Sequence, residues 1–277
     1  MKKILFPTDF SEVASNAFVH ALEFASIVEG ELILLHTFEL PIYDNQFFPQ
    51  NYLVIYDSLE LAKFNKFKVE IPKLRAIAEE HNLGNIKISH RLMDGDLLYN
   101  IKKSIKEDKI DFVIMGTSGA TGWDAFFVGT NAGAVISGIE VPMLCVPAAA
   151  KFKKIKSIGF TTRFRTKDKK ALKMVLDIAT KTNAKVKCVY VKTNESDVSK
   201  DTIANWEEEF IQDPIEFFII NSNEVKETIL DFIMYKEIDI LTMLTYKRGF
   251  FEGIFKPSLT KEIATNYDIP ILAIHID

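Results

Sequence analysis

The chain carries one pattern twice, and that duplication constrains its fold more than any bulk property. The stretch "KKILFPTDFSEVASNAFVHALEFASIVEGELILLHTF" aligns on "KSIGFTTRFRTKDKKALKMVLDIATKTNAKVKCVYVK" at a constant offset of 154, without a gap from Lys3/Ser157 to Phe38/Lys192. The ends of the two copies match at an offset of 128: "IDFVIMGTSG" falls on "IDILTMLTYK", and Pro142 falls on Pro270. Self-similarity at this period marks two units of one architecture. The boundary is expected near 148–154, giving domains 1–150 and 151–277.

Each copy alternates strand and helix. In the first, strands are expected near 2–7, 31–37, 85–92, 111–116 and 141–146, and helices near 12–28, 58–82, 96–108 and 130–139. Runs such as "ELILLHT" and "DFVIMG" are continuously apolar, as strands buried on both faces are. Alternation of such strands with amphipathic helices predicts an α/β fold: two tandem, doubly wound, parallel five-stranded sheets, Rossmann-like, with strand order 3-2-1-4-5. Ser11 with Glu12, and Asp94-Gly95-Asp96, read as helix starts. The segment 41–57, "PIYDNQFFPQNYLVIYD", has no counterpart of its length in the second copy. It reads as a long loop, a lid or a partner surface, with Phe47, Phe48 and Tyr52 packing over something.

Composition excludes several classes. No apolar run approaches the ~18 residues that a bilayer span needs, and "MKKILFPTDF" reads as a buried strand rather than a signal peptide. A net charge of −4 implies no general affinity for nucleic acid or anionic membrane. Cys145 and Cys188 sit in apolar strand-like runs and read as buried thiols, which suits a cytoplasmic location. Residues 1–150 hold 13 Lys+Arg against 19 Asp+Glu. An acidic half of this kind would bind phosphate through backbone donors rather than lysines.

Such donors have a candidate. Met115 to Gly138 holds six of the chain's twelve glycines, a density with an entropic cost that some geometry must require. In open α/β sheets, ligands bind beyond the carboxyl ends of the strands where strand order reverses. With order 3-2-1-4-5, that point lies between strands one and four, where "FPTDF" places Asp9 and "VIMG" places Gly116. Gly116 and Gly119 bracket a tight turn, and Gly129-Thr130-Asn131 open the last helix. The unpaired N–H groups of a helix start form an anion site. Asp9 reads as an acceptor for an adenine amino group or ribose hydroxyl, or alternatively as a helix cap. The glycines read alternatively as turn chemistry. No Walker A motif occurs, and Gly116 follows the fourth strand rather than the first, unlike a dinucleotide fingerprint.

Strand-"PTDFSE", strand-"LLHT", and G-x2-G-x9-G-[S/T] before a helix and "VPMLCVP" together resemble the universal stress protein family. The resemblance runs over the whole chain as two tandem domains, the first being the closer match, and implies an adenine nucleotide alpha hydrolase-like fold. It further implies ATP binding, with or without Mg²⁺, a stress-response role and dimerisation through the last strands. Pro7, Thr8 and Asp9 would lie around the adenosine, and Thr37 would meet the adenine through its backbone. Met115, Gly116, Thr117 and Gly119 would line the ribose side, with Gly129, Thr130 and Asn131 on the phosphates.

In the second copy Asp9 becomes Arg163, Gly116 becomes Leu244, Gly129 becomes Pro257, and Lys247 stands near the place of Gly119. Leucine blocks a close backbone approach, and proline removes an N–H donor, so this copy is not expected to bind ATP in the same manner. Arg163, Arg165, Lys247, Arg248 and Lys256 with Phe250, Phe251 and Phe255 could instead take an anion or an acidic partner, or form a solvated loop over core aromatics.

Catalysis is not expected beyond slow ATP hydrolysis. Between Gly116 and Gly138 there is no lysine or arginine, and the one acid, Asp124, reads as solvated. His36 reads as structural, and neither a metal-spaced Cys/His cluster nor a nucleophile elbow occurs. The expected partners are an adenine nucleotide, pairing of the two domains through "PMLCVP" beside "PILAIH", and a homodimer. A nucleotide-independent interaction module and a weak ATPase are the alternatives.

Overall fold

The structure, a computed structural model, describes residues 1–39, 52–117, 131–245 and 269–276. Its first copy comprises β1 (Lys2–Pro7), α1 (Glu12–Ile27), β2 (Gly30–Phe38), α2 (Tyr52–Glu80), β3 (Ile88–Asp94), α3 (Leu97–Asp108), β4 (Phe112–Thr117), α4 (Asn131–Gly138) and β5 (Met143–Pro147). The second comprises β6 (Ser157–Thr161), α5 (Asp168–Thr182), β7 (Lys185–Lys192), α6 (Lys200–Glu209), β8 (Ile215–Asn221), α7 (Val225–Tyr235), β9 (Ile240–Thr245) and β10 (Ile271–His275).

Local chemistry sets the helix ends. The Ser11 hydroxyl accepts from Ala14 N at 3.1 Å and caps α1, while the Asp96 carboxylate accepts from Tyr99 N at 2.7 Å and caps α3. Lys109, left-handed at φ 56°, closes α3. One sequence expectation is corrected here: α2 begins at Tyr52, so 52–57 is helix rather than loop. The rest of that segment, with Phe47 and Phe48, lies outside the described residues.

The chain divides into two compact units, Met1–Met115 and Gly116–Asp277. In the first, the strands run β3-β2-β1-β4, every pair parallel. In the second the order is β5-β10-β9-β6-β7-β8. There β9–β10, β6–β9, β6–β7 and β7–β8 are parallel, but β5 and β10 pair antiparallel, with Ile271 opposite Cys145 and Ala273 opposite Met143. The sheet of the second unit is therefore mixed: the pairs within the second copy are parallel, as expected, and the antiparallel pair joins the last strands of the two copies, whose orientation the sequence leaves open. Strand β4 crosses the unit boundary, and its last residue, Thr117, donates its hydroxyl to Val146 O of β5 at 3.4 Å. The first copy thus has strand order 3-2-1-4-5, and β8-β7-β6-β9-β10 repeats it in the second.

Each copy has its own apolar centre. Ile4, Leu5 and Phe6 of β1 are fully buried, and Phe6 packs on Phe18 of α1 at 5.3 Å between ring centroids. In the second copy Phe160, Leu172, Val175 and Val186 are equally enclosed. Among the described residues no helix is long and apolar enough to cross a membrane.

Both cysteines are buried. Burial pushes the Cys145 thiol up to about 12, and burial together with the Asp168 carboxylate pushes Cys188 well above the ordinary thiol range. A thiol that ionises less readily when folded contributes stability that is complete below the unfolded value of about 8.5. That contribution is lost as pH rises from there toward 12. Urea midpoints are therefore expected to fall above about pH 9, and a thiol-reactive dye at pH 8 should label both cysteines only after unfolding. Prompt labelling of the native protein would contradict the burial.

Candidate functional site

The end of β1 is shaped by a missing donor. Lys3 O accepts from Asp111 N at 2.8 Å, whereas Thr8 N donates to Leu35 O at 2.9 Å. Backbone groups of successive strand residues point to opposite edges, so odd-numbered residues of β1 face β4 and even-numbered ones face β2. Pro7 therefore turns its ring nitrogen, which carries no hydrogen, toward β4. The β1–β4 register accordingly stops at Leu5↔Val113. The second copy is a natural control. Thr161 stands at the register of Pro7 and has an N–H, and there the β6–β9 ladder continues one pair further, to Phe160↔Thr242. In the first copy, strands one and four part a rung earlier.

Beyond this fork Thr8 stays buried while Asp9 is exposed. Thr8 is 6% exposed, and its hydroxyl accepts from Phe10 N at 3.0 Å. Phe10 is left-handed, at φ 63°. Asp9 is exposed, and its Oδ1 accepts from Ser11 N at 3.0 Å. Ser11, not Asp9, supplies the helix cap. His36 donates from Nδ1 to Thr8 O at 2.7 Å. Its ring lies 4.8 Å from that of Phe10 and stacks on Phe67 of α2 at 6.2 Å. This aromatic group holds the Thr8–Phe10 turn in place. These contacts give His36 a structural role in the turn, in line with its reading from the sequence. Phe67 was not singled out in the sequence, where only its place in a long helix was visible.

Thr37 is placed by the same alternation. Leu35 O accepts from Thr8 N, and Phe38 O accepts from Gly95 N at 2.9 Å; odd residues of β2 thus face β1. Thr37 presents its N–H and C=O on that edge, two residues past the last β1–β2 pair, Pro7↔Leu35. One donor and one acceptor side by side match the edge of a planar heterocycle such as adenine.

Within the first unit, Pro7, Thr8, Asp9, Thr37 and half-buried Met115 therefore lie at the carboxyl ends of β1, β2 and β4. Gly116 and Thr117 are the next two residues of β4, both half-buried, and Asn131 is the exposed first residue of α4. Gly119, Gly129 and Thr130 lie outside the described residues, as do Lys247, Arg248 and Lys256. Among the described residues no group of three His, Cys, Asp or Glu could hold a metal ion.

The polar groups near the fork are backbone amide and carbonyl, threonine hydroxyl and a single carboxylate, which together offer both donors and acceptors. Comparison with known proteins agrees with the fold. The model of the universal stress protein family matches residues 1–147. Universal stress protein MJ0577 of Methanocaldococcus jannaschii is 30% identical over 152 residues, which cover 52% of this chain and 94% of that protein. Universal stress protein MJ0531 of the same organism is 26% identical over 150 residues, 54% of this chain and 84% of that protein. In structure, a universal stress protein from Archaeoglobus fulgidus superposes with a TM-score of 0.75 and 16% identity, covering 99% of this chain and 98% of the other. Sequence motif, strand order and these matches converge, and the chain belongs to the universal stress protein family.

Proposed function

We propose that the first copy, residues 1–150, binds an adenine nucleotide, ATP with or without Mg²⁺. The protein then acts as a cytoplasmic, nucleotide-responsive regulator in the stress response rather than as an enzyme. The observation that carries this reading is the fork left by Pro7, flanked by the outward backbone of Thr37 and the exposed carboxylate of Asp9. Adenine would pair with the Thr37 N–H and C=O, and Asp9 would accept from the ribose or the adenine amino group. The helix start at Gly129-Thr130-Asn131 would receive the phosphates. Residues 151–277 form a second domain of the family whose nucleotide motif has decayed. The β5–β10 ladder supports pairing of the two domains inside one chain, and sedimentation over a range of concentrations tests for a homodimer.

The full-length protein is expected to release an adenylate on denaturation, detected by mass spectrometry, and to bind ATP calorimetrically with one site per chain. Gly129→Leu should weaken that binding by at least tenfold, the cost of about one lost hydrogen bond to a charged group, with an unchanged melting temperature. Retention of ATP by this variant at native affinity would displace the phosphate site from α4. Phosphate release during the same incubation should stay at the level of the buffer control.

A further inference from the structure

The second copy contains a cavity of about 430 Å³, at the carboxyl ends of β6, β7 and β9. Its apolar part is formed by Val189, Val191, Ile229, Met243 and Leu244. Its exposed part includes Arg163 and Arg165 on one side and Glu195 and Asp197 on the β7–α6 connection. Thr193 and Ser196 of the same connection line it as well. This volume is in the range of small-molecule sites, which combine apolar walls with a few polar groups.

The arginine side is held in place. The fully buried Asp168 accepts through Oδ2 from Thr162 Oγ1 at 2.8 Å, Arg163 N at 3.1 Å and Arg165 N at 3.3 Å. Between the arginines, Phe164 is left-handed at φ 54° and buried, its ring edge-on to Trp206 at 5.2 Å and to Tyr190 at 5.4 Å. The turn therefore spends its backbone donors on an internal carboxylate, an anion already built into the protein. Arg163 and Arg165 themselves are exposed and line the cavity. At the registers of Asp9 and Gly116 stand Arg163 and Leu244, so an acceptor has become a donor and a backbone approach has become an apolar wall.

We propose that this cavity is a separate ligand site for an organic anion with a single acidic head: a carboxylate, phosphate or sulfonate on Arg163 and Arg165, and an apolar body against Val191, Met243 and Leu244. Planar guanidinium groups bind such heads bidentately. Glu195 and Asp197 weigh against polyanions such as a triphosphate. The proposal does not depend on nucleotide binding by the first copy.

The test uses the full chain with Trp123→Phe, leaving Trp206 beside Phe164 as the one tryptophan of the two in the sequence. The probe is 8-anilinonaphthalene-1-sulfonate, read by energy transfer from Trp206. The expected result is saturable transfer with one site per chain, displaced by 4-phenylbutyrate or phenyl phosphate and not by ATP. Whichever competitor is stronger identifies the head group. In Arg163→Ala/Arg165→Ala the affinity should fall at least tenfold, while uncharged N-phenyl-1-naphthylamine binds as before; Arg163→Lys/Arg165→Lys should recover part of the loss. Non-saturating transfer, displacement by ATP, or an unchanged affinity in the alanine pair would overturn the proposal. Should the alanine pair fail to fold, the lysine pair decides: affinity equal to or above the parent's overturns it.

Discussion

Asp168→Ala is expected to lower the stability of the second copy by roughly 3–5 kcal/mol, a large share of what holds a domain together. The carboxylate is fully enclosed and accepts from one hydroxyl and two backbone N–H groups. Alanine would leave the Thr162 hydroxyl, itself 6% exposed, without that acceptor, at about 1–3 kcal/mol for an unsatisfied buried donor, and would remove two part-buried, charge-assisted bonds from the Arg163 and Arg165 amides. Asp168→Asn can keep an oxygen at the place of Oδ2, on which the three donors converge, but loses the charge, so an intermediate loss is expected. Urea unfolding followed by Trp206 fluorescence in the Trp123→Phe background reads this copy selectively. A midpoint for Asp168→Ala within error of the parent's would show that the turn is held by something else, and the fixed arginine rim would lose its basis.

The second large effect concerns Gly116. Gly116→Leu places in the first copy the residue that the second copy has at the same register, Leu244. On the nucleotide reading, this side chain stands where backbone must approach the ribose. ATP affinity should then fall by about 100-fold, some 2.7 kcal/mol. The melting temperature should hold, because Gly116 is a half-buried strand end rather than a packed interior position. The reciprocal change, Leu244→Gly, should not create ATP binding, since Arg163 and the donor-consuming Asp168 remain. Calorimetric titration of both variants separates the outcomes. An ATP affinity in Gly116→Leu equal to the parent's would remove Gly116 from the ligand's path.

Much of this architecture was legible in the residues because its signals are local. The run from Lys2 to Pro7, the Ser11 and Asp96 caps and the placing of Asp9 just after β1 and of Gly116 near the end of β4 follow from apolar runs, short polar side chains and the duplicated pattern. The start of α2 was not legible. The Asn- and Pro-containing stretch before Tyr52 reads as loop, and the helical continuation shows no clear apolar stripe to betray it. Nor could the antiparallel β5–β10 pair be distinguished from parallel pairing, since "MLCVP" and "ILAIH" are apolar throughout. Asp168 sits in "RTKDKKAL", which reads as an ordinary acidic helix start. That its carboxylate folds back on three donors depends on the turn's three-dimensional path. The candidate site divides along the same line: the strand-end residues could be named, while the support from Phe67 and His36 needed the packing of α2.

The proline that ends β1 has a kinetic implication. A pocket closed by a ladder rung must break that bond before a guest enters, and the opening equilibrium would then slow association. In the first copy that rung has no hydrogen to form it, so on the nucleotide reading capture would need no such opening. Pro7→Thr, which borrows the residue of the second copy, would supply the latch.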